Sequence, residues 1–189
     1  VARNAGALQG CMPAGCRLMA VVKADAYGHG APAVAGRLWQ AGVRAFAVAT
    51  PEEGAQLRRC GITGEILVLG YADAARIREL RRWRLCQTVT DPAHARALAR
   101  AAGRRPLPVH IAVDTGMHRL GTDAGAAPAV AEMLRLPGLE VRGLFTHLAV
   151  ADSPAPEDAA FTRTQLDAFE ALARKLRGAG YTLPPLHAQ

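Results

Sequence analysis

Lysine is almost missing from this 189-residue sequence: among 23 basic residues only Lys23 and Lys175 are lysines, the rest being arginine. An amine used so sparingly invites a chemical reading wherever it stands. Long apolar runs are missing too. The longest, such as Leu18–Val22, extend for five or six residues, against the roughly 20 that a bilayer crossing needs. No membrane contact is therefore expected from this segment. Residues 1–10 lack the basic start and apolar core of a signal peptide, which points to a cytoplasmic location. Cys11, Cys16, Cys60 and Cys86 form no C-x-x-C pair and no zinc spacing, so they read as reduced, buried thiols. The six histidines, at 29, 94, 110, 118, 147 and 187, make neither HxxxH nor HExxH, and no metal site is expected. Missing as well is a G-x-G-x-x-G fingerprint after the first strand, which would favour a dinucleotide fold. The net charge of +7 comes from arginines in an alanine- and arginine-rich chain. Arg76, Arg78, Arg81, Arg82 and Arg84 fit the wet outer face of a helix better than a nucleic-acid interface.

What the sequence does have is a core. Half its residues are apolar, enough for one globular domain of this length. Strand-type runs at 18–24, 45–50, 65–70, 85–89, 108–113 and 140–145 are apolar on both faces, as parallel strands covered by helices should be. Amphipathic helices are predicted between and after them, near 31–41, 51–60, 73–82, 91–102, 125–135 and 157–179. Thr50-Pro51-Glu52-Glu53 and Asp91-Pro92 supply an N-cap followed by proline at the first helical position. Six strand–helix steps in a row make an α/β fold with a parallel sheet. An open doubly wound sheet and a (β/α)8 barrel both accommodate that pattern. A barrel needs eight strands and about 250 residues. On that reading the chain supplies six units and the approach to a seventh around Leu183–Gln189, and Val1–Gly10 is the tail of a helix.

The chemistry gathers at predicted strand ends. The first strand runs into Val22-Lys23-Ala24-Asp25-Ala26-Tyr27-Gly28-His29-Gly30. Burial disfavours the ammonium form of a lysine in such a place, and a neutral amine attacks carbonyls. Tyr27 stands in the loop beyond, where it can reach an anion held over the strand ends. Arg119 offers a planar, permanently charged donor fork suited to a carboxylate or phenolate. His147 follows an apolar strand.

This lysine segment resembles the cofactor-lysine motif of the alanine racemases. Two further segments match in the same order. Asp114-Thr115-Gly116-Met117-His118-Arg119-Leu120-Gly121 resembles the family's DTGMxRLG, and Thr146-His147 through Ala151-Asp152 its THxxxAD. Finer features, among them Met12-Pro13 and Glu65–Tyr71, are most similar to the serine/alanine racemase branch associated with vancomycin resistance. The resemblance implies a truncated (β/α)8 TIM-type barrel of the type III pyridoxal 5′-phosphate (PLP) fold. Residues 1–189 would be an incomplete N-terminal PLP-binding domain, with the C-terminal β domain absent. It implies racemisation of alanine, or of serine, by two-base proton transfer in a homodimer, supplying D-amino acids for peptidoglycan. It also assigns roles. Lys23 would be the PLP-bearing catalytic lysine; Tyr27 would bind the phosphate and Leu69 would pack in the cofactor pocket. Arg119 would hold the PLP phenolic oxygen and the substrate carboxylate, and His147 would pack against the cofactor. The second base would be a tyrosine of the partner's missing domain, leaving the piece alone inactive. Some members of the branch carry an upstream membrane domain as a tether. Where many relatives have an often carbamylated lysine, this chain has Ala112, so chloride or a carboxylate is expected beside Arg119. A PLP decarboxylase and a non-catalytic PLP-buffering barrel are the competing readings.

Overall fold

Strands that are apolar on both faces need cover on both, and the sequence order of strand then helix provides it. In the computed structural model, which describes all residues Val1–Gln189, the chain divides into two units, Val1–Gln87 and Thr88–Gln189. The first begins with helix α1 (Ala2–Cys11). Its parallel strands are β1 (Met19–Val21), β2 (Ala45–Val48), β3 (Glu65–Val68) and the start of β4 (Cys86–Val89), side by side in that order. Between them come a helical turn α2 (Lys23–Gly28), helices α3 (Ala31–Gln40) and α4 (Pro51–Arg59), and a 3-10 turn (Ala74–Arg76) leading into α5 (Ile77–Arg82).

Register decides what each face carries. Val21 pairs with Ala47, Ala47 with Leu67 and Leu67 with Cys86. On one face Ala47, Leu67 and Cys86 therefore form a buried cluster, with Met19, Val21 and Leu69 packed against it. The alternate residues Phe46, Val48, Ile66 and Val68 are fully buried on the other. Thr50 caps α4 by accepting the Glu53 N–H at 3.4 Å. The Arg58 guanidinium ties the following loops together, donating to the carbonyl oxygens of Ile62, Gly64, Trp83 and Arg84 at 2.6 to 2.8 Å.

The second unit contains α6 (Pro92–Ala102), β5 (Leu107–Asp114), β6 (Thr122–Asp123), α7 (Ala127–Arg135), β7 (Leu139–Thr146), α8 (Pro156–Gly178) and β8 (Leu186–Ala188). β7 pairs with β5, β8 with β7, and short β6 with the end of β5, all parallel. The Asp91 carboxylate caps α6 through the His94 N–H at 2.9 Å. A register shift at Val109/His110 aligns His110 with Gly143. Glycine is needed there because a Cβ would lie 2.4 Å from the His110 ring.

Each predicted strand is present, and β8 forms where a seventh was expected. Two expectations change. β1 ends at Val21 instead of reaching Ala24, because the chain leaves the sheet in an unusual turn described below. The cysteines are not all buried: Cys86 is, but Cys11, Cys16 and Cys60 are exposed. Cys11 and Cys60 fall at helix ends and Cys16 in a loop, where the backbone itself meets solvent.

Candidate functional site

Within the first unit the residues of interest collect just beyond the carboxyl ends of β1 to β3. Lys23 stands two residues past the end of β1, and Ala49 and Leu69 directly follow β2 and β3. Lys23 is half-buried, and its amine makes no hydrogen bond or ion pair. Leu69 packs against the apolar cluster below it.

Directly after Lys23 the backbone coils the wrong way. Ala24, Asp25, Ala26 and Tyr27 all have φ between 50° and 55° with ψ between 39° and 52°, a turn of left-handed helix. L-residues are crowded in that conformation by about 1–2 kcal/mol each, so four in succession cost on the order of 4–8 kcal/mol. Strain of this size persists only where the surroundings over-determine it. Here the Ala26 N–H donates to Val22 O at 3.0 Å and the Gly30 N–H to Asp25 O at 2.9 Å. The Asp25 carboxylate accepts the Ala31 N–H at 2.7 Å, capping α3. Glu53 holds the turn from α4: one carboxylate oxygen accepts the Ala24 N–H at 2.8 Å and the other the Ala49 N–H at 2.6 Å. Tyr27, at the end of the turn, is 61% exposed.

In the second unit, residues 114–121 form a tight loop that leaves β5 and returns as β6, with Thr122 beside Val113. Gly121 permits the return: its φ is +118°, and a Cβ would lie 2.8 Å from the Asp114 nitrogen. The Asp114 carboxylate gathers the loop, accepting the N–H groups of Gly116 at 2.9 Å and His118 at 3.1 Å and facing the His118 ring at 3.1 Å. Burial pushes its carboxyl up, but the two N–H groups and the ring outweigh that and hold it below the usual aspartate range. Arg119, near the loop's tip, is exposed and pairs with no carboxylate of the chain. Ala112, on β5, is buried.

His147 stands one residue past β7, half-buried. Its loop is joined to the Asp114–Gly121 loop by two links. The Thr115 and Thr146 hydroxyls lie 2.7 Å apart, and Gln165 of α8 bridges the loops. The Gln165 amide is fully buried; its oxygen accepts the Ala149 N–H at 2.9 Å, while its nitrogen donates to Thr115 Oγ1 and His147 O, both at 3.3 Å.

Of the sequence-predicted residues, the structure groups Lys23, Tyr27 and Leu69 in the first unit and the Arg119 and His147 loops in the second. Sequence reasoning missed Glu53, Gln165 and a histidine pair. His110 Nδ1 lies 2.8 Å from His187 Nε2, and the His187 ring stacks on Phe145 with centroids 5.0 Å apart. For Glu53 a signal existed, since it stands three residues after an N-cap threonine as in a capping box. For Gln165 and the histidine pair none did, the partners being far apart along the chain.

The whole chain, residues 1–189, matches the family model described as alanine racemase, N-terminal domain. A serine/alanine racemase of Enterococcus gallinarum is 42% identical over 160 residues, which are 85% of this chain and 22% of that protein. An alanine racemase of Desulfosudis oleivorans is 42% identical over 200 residues, covering 100% of this chain and 50% of the relative. The solved structure of Clostridium difficile 630 alanine racemase in complex with cycloserine superposes with a TM-score of 0.89 at 30% identity, over 100% of this chain and 51% of that one. The fold class is thus the α/β barrel type of the alanine racemase N-terminal domain. The chain spans half or less of the length of these relatives.

Proposed function

This chain belongs to the alanine racemase N-terminal domain family, and on that premise we propose that it is the cofactor-binding part of a PLP-dependent amino-acid racemase. Alanine is the proposed substrate, with serine the other candidate because a serine/alanine racemase is among the relatives. The residues present fit the cofactor. Lys23 is a half-buried residue whose amine is free of any partner, Tyr27 offers an exposed side chain at the far end of the same turn, and Leu69 an apolar surface directly after β3. PLP, when bound, supplies the electron sink that makes the α-proton of an amino acid removable.

The remaining chemistry is the chain's own. Lys23 would hold the cofactor and would take or return the α-proton on one face of the substrate. Tyr27 would bind the phosphate, and Leu69 would line the cofactor pocket. Arg119 would supply paired N–H donors to the substrate carboxylate and the phenolic oxygen. His147 would line the same pocket. With alanine at position 112, we assign to Arg119 an external anion, chloride or a carboxylate. The opposite-face base is proposed to be a tyrosine outside these residues, brought by the partner in a homodimer, so the 189 residues alone would not racemise. A cytoplasmic enzyme of this kind would supply D-amino acids to peptidoglycan precursors.

The single observation that carries the proposal is the unpartnered Lys23 amine at a strand's carboxyl end, followed by a strained turn. The complete protein, loaded with PLP, is expected to convert L-alanine or L-serine to the D-form on a chiral column, and Lys23→Ala to abolish that conversion. Undiminished racemisation by Lys23→Ala would overturn the assignment.

A further inference from the structure

Glu53 stands at the third position of α4, after the Thr50 cap. In a capping box its carboxylate would reach back to the N–H of that threonine. Only half the box forms: Thr50 accepts the Glu53 N–H at 3.4 Å, while both Glu53 oxygens go elsewhere. One takes the N–H of Ala49, the residue past the end of β2, at 2.6 Å. The other takes the N–H of Ala24, 29 residues away along the chain, at 2.8 Å. These two donors are left over where the β1–β2 ladder stops, after Val21 and Ala47. Ala24 is also the first left-handed residue of the turn and the neighbour of Lys23.

The geometry has a consequence for the ends of the turn. Lys23 is at its start and Tyr27 is its last non-glycine residue. A ligand gripped by the lysine amine at one end and the tyrosine hydroxyl at the other requires a fixed distance between them. That distance exists only while the backbone between them stays wound to the left, which alanine, aspartate and tyrosine resist. The neighbouring Glu52 takes no part, its carboxylate being paired with Arg76.

We propose that Glu53 is a positioning residue for Lys23: its carboxylate clamps Ala24 to Ala49, keeps the left-handed turn wound, and so sets the spacing between the Lys23 amine and the Tyr27 hydroxyl. The inference rests on the PLP-dependent reading above and names the group that prepares its lysine. Both Glu53 oxygens are engaged by backbone N–H groups, so its role is exerted through the turn.

The test uses the complete protein and PLP itself. PLP affinity, and the rate at which borohydride traps PLP on Lys23, are measured for wild type, Glu53→Gln, Glu53→Asp and Glu52→Gln, each well below its own melting temperature. Replacing a charged acceptor of two N–H groups by an amide should weaken PLP binding and slow trapping by about tenfold or more. Glu52→Gln should leave both unchanged. Ala24→Gly added to Glu53→Gln should restore part of the loss, because glycine adopts the left-handed conformation without crowding. Wild-type affinity and trapping rate in Glu53→Gln would overturn the proposal, as would an equal defect in Glu52→Gln. Should Glu53→Gln not fold, Glu53→Asp decides: its shorter side chain should show the same defect, and wild-type behaviour contradicts the clamp. Failure of wild type itself to trap PLP on Lys23 is a different result, and refutes the PLP reading before the clamp is reached.

Discussion

At the scale of single residues, polar side chains hold the loops beyond the strand ends. Asp114 opens the segment that resembles the DTGMxRLG motif, and its carboxylate accepts the N–H groups of Gly116 and His118. Because those donors, with the His118 ring, hold its carboxyl below the usual range despite burial, the unfolded chain binds the proton more readily than the folded one. Stability gained from this group is therefore complete above the ordinary aspartate range, and is lost as pH falls through the lower folded value. Asp114→Asn should lower stability at neutral pH and flatten its fall below about pH 4. Denaturation of the complete protein across that range checks the prediction, and an acid limb as steep as wild type contradicts it.

At the scale of elements, α8 acts as a brace as well as a cover. Through Gln165 it holds the loop after β5 and the loop after β7 by three hydrogen bonds. Gln165→Leu keeps most of the volume but removes the partner of the Ala149 N–H and a donor to the His147 carbonyl, while the Thr115 hydroxyl keeps Thr146. It should destabilise the protein by about 2–4 kcal/mol, read as a lower denaturant midpoint; a change within about 0.5 kcal/mol would contradict the brace. The turn α2 sits at the opposite extreme of legibility. Its left-handed residues 24–27, Ala-Asp-Ala-Tyr, include no glycine to announce such a backbone, and propensity alone reads Lys23 as the continuation of β1. Part of what holds it comes from Glu53 on a different element, through the Ala24 and Ala49 N–H groups, a contact that local sequence does not announce.

At the scale of the whole molecule, the alternation of strand and helix was legible because Phe46, Val48, Ile66 and Val68 on one face and Ala47 and Leu67 on the other are all apolar. That pattern belongs to parallel strands covered on both sides. The site was legible in part. The proposed residues Lys23, Tyr27, Arg119 and His147 come from the three ordered motifs and Leu69 from the Glu65–Tyr71 segment, and each lies in or beside a segment following a strand's carboxyl end. The tertiary contacts were not legible, because register and folding bring together residues such as His110 and His187, 77 positions apart. Two-residue β6 was too short to show any periodicity. What unifies these scales is one amine. The most direct measurement is borohydride reduction of the complete, PLP-loaded protein followed by peptide mapping. A pyridoxyl mass increment on the peptide containing Lys23, and on no other, is the predicted result; an increment on Lys175, or none at all, would contradict it.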